Sequence, residues 1–224
     1  YLMVEQASSA DEGKLQQTLW GNLLLSGVVT LGILVIANLT LGRYQRRIEQ
    51  MAATDKLTGM ISRQVFETTF EHLVAQARRQ QQNVSVILFD IDLFKQVNDH
   101  FGHNVGDMVI RKVAQTMLAT VRQSDVVCRW GGEEFLIVLP GCKLAAAQEL
   151  AERIRRTMAC EQDAVVGTIT LALGVGAWQP GECSSTLLRR TDQALYRAKA
   201  LGRNRVVVAP AAHRTVSVGS NARA

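Results

Sequence analysis

Between Lys14 and Arg43 the chain carries no charged side chain, and residues 19–42 are almost wholly apolar. About 20 such residues cross a bilayer as a helix. The alternative, a buried core helix, fits poorly: a helix apolar on every face is too greasy for the modest soluble region beside it. No basic start or small-residue cleavage site frames the run as a removable leader. The pattern therefore predicts one transmembrane helix over residues 19–42. Just past it, Leu41, Tyr44, Ile48 and Met51 recur at the spacing of an a/d seam, with Arg46, Arg47 and Glu49 left toward water. Residues 43–54 read as a short signalling helix, a juxtamembrane stalk suited to a parallel dimer. A simple solvated linker helix is the alternative.

From Thr54 the pattern changes. Residues 63–81 place Val65, Phe66, Phe70, Leu73, Val74 and Ala77 on one helical stripe. Residues 84–89 form a short apolar run of β-formers and predict a buried strand. Helices are predicted again over 106–121, 144–158 and 185–201, and strands over 126–130, 135–139, 168–177 and 205–208. Gly131-Gly132-Glu133-Glu134 separates two of these strands as a hairpin turn does. Paired strands between helices imply an α+β fold, ferredoxin-like or palm-type: an antiparallel-mixed central sheet with flanking helices. Residues 209–224 show no periodicity and read as a flexible tail.

Charge adds an orientation and a substrate class. Asp11, Glu12 and a single Lys14 precede the apolar run, whereas Arg43, Arg46 and Arg47 follow it. Basic flanks stay on the cytoplasmic side, so everything after Arg43 is expected in the cytoplasm. Residues 1–18, beginning at Tyr1, read as the truncated end of an extracytoplasmic sensor region. Acidic and basic side chains cancel within residues 1–53, so the formal +5 belongs to the remainder of the 224 residues. That excess suits a polyphosphate substrate. Aromatic residues do not interleave with basic ones as a nucleic-acid surface requires. Cys128, Cys142, Cys160 and Cys183 contain no close pair that would suggest zinc, and a reducing cytoplasm leaves them as small buried hydrophobes.

The chemistry concentrates at Phe89-Asp90-Ile91-Asp92-Leu93-Phe94-Lys95. An apolar strand does not end in alternating carboxylates for stability, because a buried charge is costly without a partner. Alternation puts Asp90 and Asp92 on one face, and the 131–134 turn offers Glu133 and Glu134. Clustered carboxylates repel unless a cation sits among them, and few hard oxygen ligands completed by phosphate and water describe Mg²⁺. The paired glycines allow positive φ and close approach of a substrate to the backbone. An exposed acidic turn is the bland alternative for each motif alone.

Taken together the motifs carry a resemblance. Asp55-Lys56-Leu57-Thr58-Gly59, Asp90-Ile91-Asp92-Leu93-Phe94-Lys95, Asn98-Asp99-x-Phe101-Gly102-His103-x-x-Gly106-Asp107, Arg129-Trp130-Gly131-Gly132-Glu133-Glu134-Phe135 and Asp192-x-Ala194-Leu195-Tyr196-x-Ala198-Lys199-x-x-Gly202-Arg203-Asn204 resemble the GGDEF family of diguanylate cyclases. The resemblance covers residues 55–208 and implies an enzyme that joins two GTP into cyclic di-GMP; with the apolar span and its basic flank, it is expected at the cytoplasmic face of a bacterial inner membrane. By it, Asp90 and Glu134 hold Mg²⁺ (Mn²⁺ as a substitute) with the carbonyl of Ile91, and Glu133 helps activate the ribose 3′-hydroxyl. Asn98 and Asp107 recognise guanine, while Lys95, Lys199 and Arg203 grip phosphates. A homodimer is implied because each domain presents one GTP. Arg122 and Asp125, five residues before the glycine pair, match the family's RxxD product-inhibition site, where Arg can donate twice to guanine. Arg153 resembles the arginine that contacts the same ligand from a neighbouring domain. Asp92, His103, Asn204 and Lys199 each keep a purely structural alternative. Met60 and Ser62 depart from the usual Leu and Asn; only Ser62 puts a local hydrogen bond at the linker junction in doubt. Two other functions remain to be separated from this one: a non-catalytic cyclic di-GMP receptor, and a cyclase for another nucleotide.

Overall fold

The computed structural model describes residues 20, 23–41 and 53–211. Contacts divide the chain into two units, Tyr1–Ala52 and Ala53–Ala224. In the first, α1 (Leu23–Leu41) is long and apolar enough to cross a membrane, and its large side chains are exposed on every side. The proposed seam beyond Leu41, the basic flank, residues 1–18 and the tail from 212 onward lie outside the described residues.

In the second unit the elements run β1 (Ile61–Ser62), α2 (Arg63–Gln80), β2 (Val84–Ile91), α3 (Phe94–Phe101), α4 (His103–Thr120), β3 (Val126–Arg129), β4 (Glu134–Pro140), α5 (Leu144–Cys160), β5 (Gln162–Asp163), β6 (Gly167–Thr168), β7 (Leu171–Ala177), α6 (Ser184–Ala200) and β8 (Arg205–Val208). The main sheet has the order β1-β3-β4-β2-β7-β8. Its four central strands are antiparallel, and the two outermost pairings, β1 with β3 and β7 with β8, are parallel. β5 and β6 make a separate two-stranded ribbon. The expected mixed sheet with flanking helices is the fold.

Strand alternation sorts the core into two layers. Ile87, Phe89, Ile91, Phe135, Ile137, Leu171 and Leu173 face α4 and α5 with Val109, Val113, Met117, Ile154 and Met158. Val86, Leu88, Leu136 and Val138 face α2 and α6 with Phe66, Phe70, Leu187 and Leu195. The central strand β2 is buried at all eight positions, so its apolar run shows no polar face. α6 lies directly on β7. A Cβ on Gly174 would collide with the carbonyl oxygen of Thr191 in α6, so glycine is what lets the helix backbone approach the strand this closely.

Besides the two-residue strands β1, β5 and β6, which were not predicted, three elements depart from the sequence-based reading. α3 is a helix where none was predicted, and α4 starts at His103 rather than 106. β7 starts at Leu171, because Gly167–Thr168 turns back on Gln162–Asp163 instead.

Candidate active site

The last residue pair of the β2–β4 ladder is Asp90 opposite Glu134. Directly opposed residues on antiparallel strands project to the same face with Cβ atoms roughly 5 Å apart. The face is that of α2 and α6, since Asp90 and Glu134 continue the rows Val86-Leu88 and Leu136-Val138. α6, drawn close over Gly174, brings Lys199 to this point. Its Nζ lies 2.7 Å from Asp90 Oδ2. Asp90 is 8% exposed. Its carboxyl is pushed up to about 6, chiefly by burial; Lys199 opposes the rise, and the charges of Glu133 and Glu134 add to it.

The turn itself is pinned from three sides. The N–H groups of Trp130 and Gly131 both donate to the Glu134 carbonyl, at 2.8 and 3.2 Å. The Ile91 N–H donates to the Glu133 carbonyl at 3.3 Å, tying the turn to the end of β2. Arg129 donates from Nη2 and Nε to the Gly132 carbonyl at 2.7 and 3.2 Å. The same guanidinium reaches back to Asp55 through Nη1, at 3.3 and 3.2 Å from its carboxylate oxygens. Burial is the largest influence on Asp55 and pushes its carboxyl up. Hydrogen bonds from Thr58 together with Arg129 outweigh it, and the net displacement is downward. The Asp55–Arg129 clamp joins two of the sequence motifs, and the sequence reading had given neither residue a role.

One expectation is corrected. Neither Gly131 nor Gly132 has positive φ. A Cβ on Gly131 would come 3.1 Å from Glu134 Oε2, a tight contact with the end of a flexible side chain. Asp92 is held through one carboxylate oxygen, Oδ2, while its buried Oδ1 has no hydrogen-bond partner among the described residues. β2 ends at Ile91, and the Asp92 carboxylate accepts from Thr170 Oγ1 at 2.8 Å and from the Asn204 N–H at 2.9 Å. It fastens β7 and the 201–204 loop to the end of β2, which is the structural alternative. Asn204 in turn accepts from Arg155 through its side chain. His103 is exposed at the start of α4.

The remaining residues fall into two neighbourhoods. Lys95 is exposed in the first turn of α3, and half-buried Asn98 sits near its end. A Cβ on Gly106 would collide with Oδ1 of Asn98, so the amide lies against α4 at Gly106, the residue before Asp107. Arg203 is exposed with φ 60°, in the loop after α6. At the far end of β3, which is four residues long and carries the chain roughly 13 Å, Arg122 and Asp125 close a tight turn. The Arg122 N–H donates to Asp125 Oδ2 at 2.8 Å. Arg153 of α5 donates to the Thr120 carbonyl at 3.1 Å, which places it beside this turn in the same domain. All four cysteines are free. Cys128 is buried as expected and its thiol is pushed up to about 12 by burial, whereas Cys160 and Cys183 are exposed rather than core residues.

The donor set fits a hard divalent cation. Asp90 and Glu134 offer carboxylate oxygens on one face. Among the described residues no group of three or more His, Cys, Asp or Glu is gathered closely enough to cage an ion. An ion bound through these two carboxylates keeps positions for water or phosphate oxygens, as Mg²⁺ does.

Residues 52–205 match the family model for the diguanylate cyclase GGDEF domain. The response regulator PleD of Caulobacter vibrioides is 40% identical over 164 residues, covering 70% of this chain and 36% of that protein. The GGDEF domain of DgcB from Caulobacter crescentus, solved with c-di-GMP, has a TM-score of 0.69 at 32% identity and covers 71% of this chain and 94% of that one. The active GGEEF domain of a diguanylate cyclase from Vibrio cholerae has a TM-score of 0.65 at 37% identity and covers 67% and 98%. The chain belongs to the GGDEF diguanylate cyclase family. It spans 36% of the length of the curated relative PleD.

Proposed function

We propose that this chain condenses two GTP molecules into cyclic di-GMP and releases two pyrophosphates. The observation that carries the reading is the cross-strand pairing of Asp90 with Glu134 beside the Gly131-Gly132 turn. Asp90, Glu134 and the Ile91 carbonyl hold Mg²⁺, or Mn²⁺ in its place. Bound there, the ion would neutralise developing charge on the phosphoryl oxygens. Glu133 helps activate the 3′-hydroxyl of one GTP. The hydroxyl oxygen bonds to the α-phosphorus of the other GTP as the bond from that phosphorus to the pyrophosphate oxygen breaks. Lys95, Lys199 and Arg203 grip the phosphates, so positioning and charge neutralisation dominate, as phosphoryl transfer requires. Asn98 and Asp107 recognise guanine. Two such domains face each other, making the homodimer part of the apparatus. Through α1 the chain is anchored in the bacterial inner membrane with its catalytic part cytoplasmic.

Product feedback at Arg122, Asp125 and Arg153 is a second layer of the same reading. The support for it is the turn that the Asp125 carboxylate closes on the Arg122 N–H, with Arg153 fixed alongside.

The test is product analysis of the full chain in nanodiscs with GTP and Mg²⁺. The expected product is cyclic di-GMP, and Glu134→Ala is expected to lower turnover by about 10²-fold or more. Nucleotide binding without product would favour the receptor reading, and an adenine-containing product would overturn the guanine assignment. Unchanged turnover in Glu134→Ala would refute the metal assignment.

A further inference from the structure

The residue just before Gly131 is held from outside the turn. The guanidinium carbon of Arg63 lies 4.1 Å from the centre of the Trp130 ring, over its face. Phe66 meets the same ring edge-on, with centroids 5.8 Å apart and planes at 79°. Both residues belong to the first turns of α2. Their meeting follows from register, because the parallel β1–β3 pair sets Ser62 opposite Arg129, and the next residues along are Arg63 and Trp130. A cation over an indole face is attracted by the ring quadrupole, and Trp gives the strongest such contact. Glu67 fixes the guanidinium in place, accepting from Arg63 Nε at 3.0 Å.

Trp130 thus has its ring in α2 and its main chain in the turn, where its N–H donates to the Glu134 carbonyl. A shift of the ring is passed to the residue whose carboxylate faces Asp90. The start of the domain bears on the same place, since Ser62, next to Arg63, donates its N–H to the Ala53 carbonyl at 3.0 Å.

We propose that Arg63 is a positioning residue for the Gly131–Glu134 turn, acting through the face of Trp130. Neither side chain touches substrate; the pair sets where the turn's carboxylates stand. The kinetic consequence rests on the cyclase reading above, whereas the mechanical one does not. Arg63 is exposed on the surface of α2, its side chain 58% accessible, so its replacement leaves the core intact.

The experiment uses the full chain, with tryptophans replaced by 5-fluorotryptophan and the Trp130 resonance assigned through Trp130→Phe. Arg63→Gln is expected to move that resonance and to speed amide exchange at Trp130 and Gly131, while amides of β2 keep their protection. It is expected to lower kcat about threefold to fivefold, the effect of one partly exposed cation–π contact. KM for GTP should stay within about twofold. Arg63→Lys should recover most of the loss, because a cation remains over the ring. The Arg63→Gln, Trp130→Leu double variant should be no slower than the worse single variant, as for two ends of one contact. The proposal is overturned if the Trp130 resonance moves while kcat does not, if exchange rises uniformly through the sheet, or if the single effects multiply. Should the unaltered chain make no product, the cyclase reading fails and the exchange measurement alone decides. Unchanged protection at Trp130 and Gly131 in Arg63→Gln would then sink the positioning role.

Discussion

Asp90 is a carboxylate that folding places where its charge is unwelcome: nearly buried, opposite one glutamate and near another, with a single lysine for company. The raised value of about 6, against an ordinary 3.8, has a defined consequence for stability. Below about pH 4 the group is protonated in folded and unfolded chains alike, and contributes no difference. As pH climbs from there through 6 the unfolded chain releases its proton first, so the folded state loses relative stability, and above 6 the penalty is complete. Asp90→Asn, with divalent ions chelated, is therefore expected to melt roughly 3 °C higher at pH 8. Thermal scans at pH 8 and pH 4 check this; a gain that persists at pH 4, or none at pH 8, would contradict it. The same sign makes metal binding compete with protons, so turnover is expected to fall as pH drops through about 6. Asp90 and Glu134 were legible in the sequence because charge at the end of an apolar strand is anomalous at short range. The tie made by Asp92 was not, since its partners Thr170 and Asn204 stand 78 and 112 residues away. Nor was the Arg129–Asp55 clamp, which closes over 74 residues.

Elements were readable where the apolar pattern was long. β2, β4, α2, α5 and α6 appear close to where the periodicity puts them, because each buries a full stripe or strand. α3 was missed: it is eight residues with Phe94 as its one buried side chain, and so short a stripe cannot be told from a loop. β1, β5 and β6, at two residues each, have no pattern to read and exist only through their partners. What the pattern also hides is how closely elements approach. α6 delivers Lys199 to Asp90 only because β7 offers Gly174 beneath Thr191 and Leu195. Gly174→Ala would press a methyl group into helix backbone that has no side-chain freedom to yield. It is expected to cost about 3 kcal/mol and, by shifting α6, to lower turnover more than an equally destabilising change in α2 such as Val74→Ala. Denaturant melts and rates measured on the two variants check this. Equal rates at equal stability would mean that the placement of α6 does not govern the site.

At the scale of the whole molecule, the sequence places an apolar span, a basic flank and a basic GGDEF domain in that order, and α1 lies within that span. The proposed chemistry cannot be completed within one domain, because each presents a single GTP and the new phosphodiester bonds join two. The proposed membrane anchoring turns that need into a question of surface density: chains confined to a sheet of lipid meet far more often than chains in solution, and the proposed stalk dimer would raise the local concentration of one unit at its partner further. Reconstitution at fixed total protein and increasing lipid is therefore expected to lower the rate per chain as the proposed dimer separates. Tenfold lipid dilution approaches about a tenfold loss where association is weak, and a tandem of two linked copies resists it. Initial rates with saturating GTP, read beside single-molecule counting of chains per particle, make the check. A rate per chain that holds constant while counting shows single chains would mean that one domain suffices, and the facing arrangement on which the mechanism depends would have to be abandoned. A rate that tracks the fraction of paired chains would place control of this enzyme in whatever brings two spans together.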